Sequence, residues 1–353
     1  MKLGIIGLPQ SGKTTIFNAL TRGNRPVSMS GGRFEVHTAV VDVPDPRVDE
    51  LSNLFNPKKT TYAKVTYADI AGLEGSASGD ISGPLLTQLA QMDGFIHVAR
   101  CFVDPSVPHA MGEVDPQRDI EVMEGEFMLN DMIQVERKLE RLAEDRNRNT
   151  RDKIEIAREE ALFQRLLAIL SDDKPLRGIE LNSEEQRIIS GYGFLSIKDL
   201  LIVLNLGDEQ STPMVNFPCE SCLIPLKGSL EMEIAQLPPE DAQIFMEEYQ
   251  ITEPSLNRMI RSSYDLLQVQ SFFTVGEDEV RAWTVRRGAK APEAAGVIHS
   301  DLQKGFIRAE VVPCDDLLTL GGMAEARTKG KLRLEGKEYL VQDGDILHVR
   351  FNI

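Results

Sequence analysis

Near the amino end, Gly7-Leu-Pro-Gln-Ser-Gly12-Lys13-Thr14 matches the pattern G-x-x-x-x-G-K-[ST]. Such a run can hold a triphosphate. Its glycines let backbone N–H groups point at phosphate oxygens with no Cβ in the way. Lys13 reaches the β- and γ-phosphates as a mobile point charge. Thr14 supplies a hydroxyl to Mg²⁺. The loop follows the apolar run Lys2–Ile6 and opens a helix, so the helix N-terminus adds partial positive charge. The nucleotide contacts expected here are Gly7, Pro9, Gln10, Ser11, Gly12, Lys13, Thr14 and Thr15.

Two further elements fit the same chemistry. Asp69-Ile-Ala-Gly72 has the form D-x-x-G, in which Asp69 would hold Mg²⁺ through water and the Gly72 amide would sense the γ-phosphate. The next residue is Leu73, and an aliphatic side chain cannot orient an attacking water. Slow hydrolysis, or a residue supplied from elsewhere, follows. Glu74–Gly83 is rich in Gly and Ser and is expected to be ordered by nucleotide. Asn205-Leu206-Gly207-Asp208 keeps the frame of N-K-x-D, the guanine-reading element, with Leu206 where a lysine packs on the base. Guanine preference is weakened by that exchange. Lys227 stands in what reads either as a second base-side loop or as an ordinary exposed turn.

The elements that must position these residues alternate between strand and helix. Strands are expected at Lys2–Ile6, Val36–Val43, Lys64–Asp69, Phe95–Arg100, Leu200–Leu204 and Leu223–Leu226. Helices are expected after the loop, around Leu85–Met92 and over Ser229–Leu237. This pattern predicts an α/β fold, a P-loop NTPase domain with a mostly parallel sheet. Met128, Met132, Val135, Leu139 and Leu142 form a one-sided helical seam. A second seam runs from Lys153 to Leu170 after the polar break Asn147–Thr150. They read as an antiparallel hairpin arm, the plainer alternative being helices that cover the sheet. Thr252-Glu-Pro254 reads as a helix start, with Thr252 as N-cap and Pro254 in the first turn. Short strands then follow at Trp283–Val285, Ile307–Val312, Lys331–Leu334, Tyr339–Gln342 and Leu347–Phe351. The expected divisions are residues 1–125 and 196–270 for the nucleotide domain, 126–195 for the arm and 271–353 for a small β-rich domain.

Charge narrows the partners. The formal net charge is −16, which opposes loose binding to nucleic acid. From Ser271 to Ile353 there are 12 Lys+Arg and 13 Asp+Glu, so any RNA contact is expected there. In that segment Arg281, Arg286, Arg287, Lys290, Lys304 and Arg308 lie near Trp283 and Phe306. These could grip RNA, or the aromatics could simply be packing. No apolar run reaches the ~18 residues of a membrane span, and the opening residues lack a signal-peptide pattern, so a cytoplasmic location is expected. Cys101, Cys219, Cys222 and Cys314 are then expected to be free thiols. Cys219-Glu-Ser-Cys222 is half a zinc site, and no second pair accompanies it.

Together these elements resemble the YchF/Obg-like ATPase family of translation-factor GTPases over nearly the whole chain. The phosphate loop fits, as does Asp69-Ile-Ala-Gly-Leu73 with its aliphatic residue. Val43-Pro-Asp-Pro-Arg47 and Asp93-Gly-Phe-Ile-His-Val-Ala-Arg100 resemble family segments. Phe272-Phe-Thr-Val-Gly276, Glu279-Val-Arg-Ala-Trp-Thr-Val285, Ala294-Ala-Gly-Val-Ile-His299, Lys304-Gly-Phe-Ile-Arg-Ala-Glu310 and Val341-Gln-Asp-Gly-Asp345 resemble the C-terminal TGS domain, a β-grasp module. The resemblance implies an ATP-preferring NTPase that associates with ribosomes. It places the phosphate residues at Gly12, Lys13, Thr14 and Thr15, the Mg²⁺ aspartate at Asp69 and the base-side asparagine at Asn205. The family's glutamate falls on Asp208, which leaves ATP and GTP both open. A histidine proposed to replace the missing glutamine falls on His109; imidazole can orient water near neutral pH. The family's switch threonine has no match near Arg33, and Thr38 lies further on. Two rival functions remain: a metabolic P-loop kinase, against which the paired D-x-x-G and N-x-x-D frames argue, and a nucleotide-stabilised protein-interaction regulator of redox or stress, for which Cys101 is the residue to test.

Overall fold

The computed structural model describes residues 1–23, 36–70, 81, 83–148, 151–219, 222–248, 251 and 253–352. Contacts divide the chain into two compact units. One comprises Met1–Ala39 with Thr66–Leu256, the other Val40–Val65 with Asn257–Ile353. Residues 40–65, which the sequence pattern leaves inside 1–125, therefore group with the C-terminal segment. No local signal marks this grouping, because it rests on pairings across more than 200 residues.

In chain order the elements of the first half are β1 (Lys2–Ile6), α1 (Lys13–Thr21), β2 (Val36–Asp42), α2 (Pro46–Phe55), β3 (Lys59–Thr61), β4 (Lys64–Ile70), α3 (Gly83–Ala90), β5 (Gly94–Arg100), α4 (Pro116–Arg148) and α5 (Lys153–Ser171). There follow α6 (Ser183–Ile189), β6 (Asp199–Asn205), β7 (Leu223–Leu226), α7 (Gly228–Gln236), α8 (Pro239–Glu248) and α9 (Ser255–Leu266). The chain closes with β8 (Val269–Thr274), β9 (Glu279–Arg286), α10 (Ala291–Ile298), α11 (Ser300–Lys304), β10 (Phe306–Pro313), α12 (Cys314–Leu320), α13 (Met323–Thr328), β11 (Arg333–Glu335) and β12 (Asp345–Phe351).

The first sheet has the order β2-β4-β1-β5-β6-β7. Its pairings β1–β4, β1–β5, β5–β6 and β6–β7 are all parallel. Parallel strands covered on both faces must be apolar throughout, and β1, β5 and β6 are nearly so. A crevice for ligand lies at the carboxyl ends of such strands, where β1 runs into the Gly7–Thr14 loop. One core cluster joins Ile6, Phe95, Ile202 and Leu204 of the sheet to Leu85, Ile120, Met123 and Phe127 of the helices.

Helix α4 unites two expected regions. Its first turns bury Ile120, Met123 and Phe127 against the sheet, and Val135 joins Leu162, Phe163 and Leu166 of α5 in a separate cluster. The apolar seam therefore begins eight residues before Met128, at Ile120, and the helix runs unbroken through 125. In α5, Asp152 caps the N-terminus by accepting from the Ile154 and Glu155 amides.

The second sheet has the order β11-β10-β12-β8-β9-β3, with mixed directions, and packs α10 over one face as a β-grasp. Its edge strand β3 pairs in parallel with β9, Thr61 opposite Arg281. Three expectations change here. Tyr339–Gln342 is not a strand; only an isolated bridge, Lys290 to Leu340, forms. Phe306 is buried at 4% exposure, and Trp283 packs on the same core with its indole N–H donating to Thr274 Oγ1 at 2.9 Å. Phe306 is thus a packing residue, and Trp283 is braced by Arg281, 3.9 Å from its ring centroid. Pro254 stands just ahead of α9 rather than within its first turn, and Thr252 lies outside the described residues.

Candidate functional site

The loop after β1 is shaped by backbone that few side chains adopt. Gly7 and Gly12 have φ of 143° and 97°, and Gln10 has φ of 61°. A Cβ on Gly12 would fall 2.2 Å from Asn205 Nδ2, and one on Gly7 would fall 2.4 Å from the Val98 carbonyl oxygen. Both positions therefore require glycine for space as well as for φ. Gln10 holds a left-handed conformation at a cost of about 1 kcal/mol, the kind of strain that concentrates at binding loops. Helix α1 starts at Lys13 on the Gly12 turn with no side-chain cap, so its first amides are not satisfied by a capping residue. Pro9, Gln10, Thr14 and Thr15 are half-buried and Ser11 is buried.

The charged groups stand ready for exchange. Lys13 Nζ donates to the Gly7 and Leu8 carbonyl oxygens at 2.9 and 2.8 Å, spanning its own loop. Thr14 Oγ1 donates to Asp69 Oδ2 at 3.1 Å. A hydroxyl and a carboxylate side by side are the hard oxygen donors that suit Mg²⁺, which keeps waters and phosphate oxygens for its other positions. Among the described residues no cluster of three or more His, Cys, Asp or Glu could hold a metal by itself. Beneath the loop, His97 is wholly buried, and neither ring nitrogen has a hydrogen-bond partner among the described residues. Burial, then the nearby Lys13 charge, pushes its pKa down to about 3, so it is neutral at working pH.

Asn205 acts as a buckle. Its Nδ2 donates to the Ser11 carbonyl at 2.9 Å, and its Oδ1 accepts from the Gly228 amide at 3.0 Å. It ties the phosphate loop to the turn between β7 and α7. Sequence reasoning missed Gly228, whose only signal is its place one residue after Lys227. Leu206 is 8% exposed and packs within the core cluster, its N–H donating to Leu226, so it is buried rather than presented to a base. A leucine in an otherwise polar motif could have signalled that. Asp208 is exposed, and Lys227 Nζ donates to its backbone carbonyl. Gly72, Leu73, residues 74–80 and 82, and Arg33 lie outside the described residues.

His109 is held on both sides. Its side chain is 2% exposed, Nε2 lies 2.8 Å from Asp119 Oδ2, and Nδ1 accepts from the Met111 amide at 3.1 Å. With Nδ1 accepting, the proton sits on Nε2 and is donated to Asp119. Asp119, not foreseen from sequence, also accepts from Arg118 at 2.7 Å. The buried Arg100 donates to the Phe102 and Val107 carbonyls and fixes the start of the same loop.

One cysteine expectation is overturned. Cys219 and Cys222 are joined as a disulfide, whereas Cys101 and Cys314 are free and buried. Three-residue spacing lets the two Cβ atoms meet in one turn, a fact of backbone geometry that composition cannot show.

The parallel sheet, with its strand–loop–helix turn and the Thr14–Asp69 pair at its carboxyl edge, defines a P-loop nucleoside triphosphatase. The family model YchF-GTPase_C, described as a protein of unknown function, matches residues 269–352. The chain is 40% identical to the ribosome-binding ATPase YchF of Bacillus subtilis over 99% of both chains. It is 38% identical to the protein of that name from Haemophilus ducreyi, over 100% of this chain and 99% of the other. The solved structure of the Schizosaccharomyces pombe YchF GTPase superposes with a TM-score of 0.82 at 30% identity, covering 99% of this chain and 97% of that one. The chain belongs to the YchF family.

Proposed function

We propose that this protein binds a Mg²⁺-nucleoside triphosphate on the Gly7–Thr15 loop, hydrolyses it slowly with ATP ahead of GTP, and uses it as a switch on the ribosome in the cytoplasm. The observation that carries the nucleotide reading is the loop itself: uncapped helix amides, crowded glycines and a lysine that donates to the Gly7 and Leu8 carbonyls of the same loop. Triphosphate oxygens would draw Lys13 from those carbonyls. Mg²⁺ would be held by Thr14 and Asp69, where it supplies charge neutralisation of the phosphates. Asn205 keeps the loop and the base-side turn in register, and the exposed Asp208 with Lys227 faces the base. The names of the curated relatives support the ribosome and favour ATP. With Phe306 buried, RNA contact by the TGS domain would fall to exposed cations such as Lys304 and Arg308 through phosphate, not to stacking.

His109 is the candidate for orienting the attacking water. Because Asp119 holds its Nε2, that role requires the 101–115 loop to release it. Two titrations test the whole reading. ATP should bind more tightly than GTP, and the protein should sediment with ribosomes to different extents with a non-hydrolysable ATP analogue and without nucleotide. Binding of neither nucleotide, GTP binding as tight as ATP, or sedimentation indifferent to nucleotide overturns it.

A further inference from the structure

Cys219 and Cys222 stand apart from the other two cysteines. Both bridged residues are only partly buried. Cys101 and Cys314 are buried, and burial pushes each thiol up to about 12, which keeps them protonated and unreactive. The Cys222 amide also donates to the Cys219 carbonyl at 3.1 Å. No described helix is long and apolar enough to cross a membrane, and in the cytoplasmic setting argued above a disulfide is as a rule transient and redox-responsive.

The placement of the pair gives it reach. Cys222 directly precedes β7, the edge strand of the first sheet, which has β6 as its one neighbour in the sheet order. At the far end of this four-residue strand, Leu226 accepts from the Leu206 amide at 2.9 Å, and the Gly228 amide is seated on Asn205. Asn205 in turn holds the Ser11 carbonyl. A covalent and hydrogen-bonded path of one short strand therefore runs from the bridge to the phosphate loop. Closing a small loop at the start of such a strand removes chain freedom that the strand would otherwise retain.

We propose that Cys219–Cys222 is a thiol–disulfide exchange site whose oxidation state sets nucleotide affinity through β7. Its co-reactant is a thiol/disulfide couple. A reductant thiolate attacks one Sγ, the Cys219–Cys222 bond breaks, a mixed disulfide forms and the released cysteine takes a proton. A second reductant thiolate attacks the mixed disulfide. The remaining cysteine leaves and takes a proton, and the reductant departs as its own disulfide. Two electrons and two protons pass to the protein for each two thiols oxidised. In the oxidised form the start of β7 is fixed, and Lys227-Gly228 keeps its seat on Asn205. Reduction loosens that seat.

The nucleotide half of this inference rests on the reading under Proposed function, so two measurements are paired. Native protein is equilibrated across ratios of reduced to oxidised glutathione, and its free thiols are alkylated and located by mass. Labelling should appear at Cys219 and Cys222 together and not at Cys101 or Cys314. ATP is then titrated into the oxidised and the dithiothreitol-reduced protein. Reduction should weaken binding about fivefold, the lower end of ordinary site-to-site coupling. The Cys219→Ser/Cys222→Ser variant should match the reduced protein under both conditions. Failure of the pair to oxidise at any glutathione ratio overturns the exchange site, and equal ATP affinity in the two forms overturns the coupling. If neither form binds ATP or GTP, the nucleotide reading and the coupling fall together, while the alkylation result still decides the exchange site.

Discussion

The phosphate loop and the unit that holds the TGS domain treat their charged groups in opposite ways. In the unit that holds the TGS domain, charges close on one another. Arg47 bridges Asp45 and Asp343 at 2.8 and 2.7 Å, and the buried Glu310 accepts from Arg350 and Arg327. Tyr339 donates to Asp345 at 2.7 Å and accepts from Arg333. In the nucleotide unit, Lys13 rests on its own loop carbonyls, α1 has no side-chain cap, and His97 is buried with neither nitrogen bonded to a described residue. Saturated polar groups hold a fold together; groups that give up weak partners without loss are the ones available to a ligand.

Substitutions can break or sharpen that contrast. The largest effect is expected for Lys13→Ala, which should weaken ATP binding about 100-fold, near 2.7 kcal/mol, in a titration while leaving the melting temperature within a degree or two. Retained affinity would remove the distinction between the units altogether. Replacing His109 with Ala should lower ATP turnover about tenfold or more with unchanged affinity, if the loop releases it for catalysis. A steady-state assay in which kcat stays put makes the His109–Asp119 pair part of the scaffold instead.

Asn205→Ala lies between the extremes. It strands the buried Gly228 amide and Ser11 carbonyl, so about 2 kcal/mol of stability should be lost in a denaturant melt, and ATP affinity should fall several-fold. By contrast, Arg47→Ala should cost about 1–2 kcal/mol in the same melt and leave ATP affinity alone. A change in affinity there would erase the division of labour.

The smallest effect belongs to the arm. Arg151, opposed by partial burial and joined by Lys138, holds the Glu159 carboxyl below its usual range. A depressed carboxyl stabilises above the ordinary value of about 4.3, and that contribution disappears as pH falls through the folded value. Glu159→Gln should therefore cost less than about 1 kcal/mol at pH 7, and the cost should shrink as pH falls, read from melts across the acid range.

How much of this was legible beforehand varies with range along the chain. The phosphate loop, Asp69 and the strands β1, β4, β5 and β6 could be read directly, because their signals are local: glycine spacing, a strand run and a polar residue at its end. Asn205 was readable as a position, but its task was not, since its two partners lie 194 and 23 residues away. Leu206 was assigned to the base from motif frame alone, whereas just past β6 its amide pairs with Leu226 and its side chain joins the core cluster. Asp119 and the Cys219–Cys222 bridge are nearer neighbours, but only coordinates show that these side chains meet.

The amino-acid order by itself determined the class of chemistry, because the phosphate grip is made by neighbouring backbone amides whose geometry a few adjacent residues dictate. Tertiary structure alone decided which polar groups are spent on holding the molecule together. Hydrogen bonds and ion pairs are made across space between residues far apart in sequence, so only the folded chain shows that His109 is tied to Asp119, that residues 40–65 belong with the β-grasp unit, and that Lys13 donates to the carbonyls of its own loop.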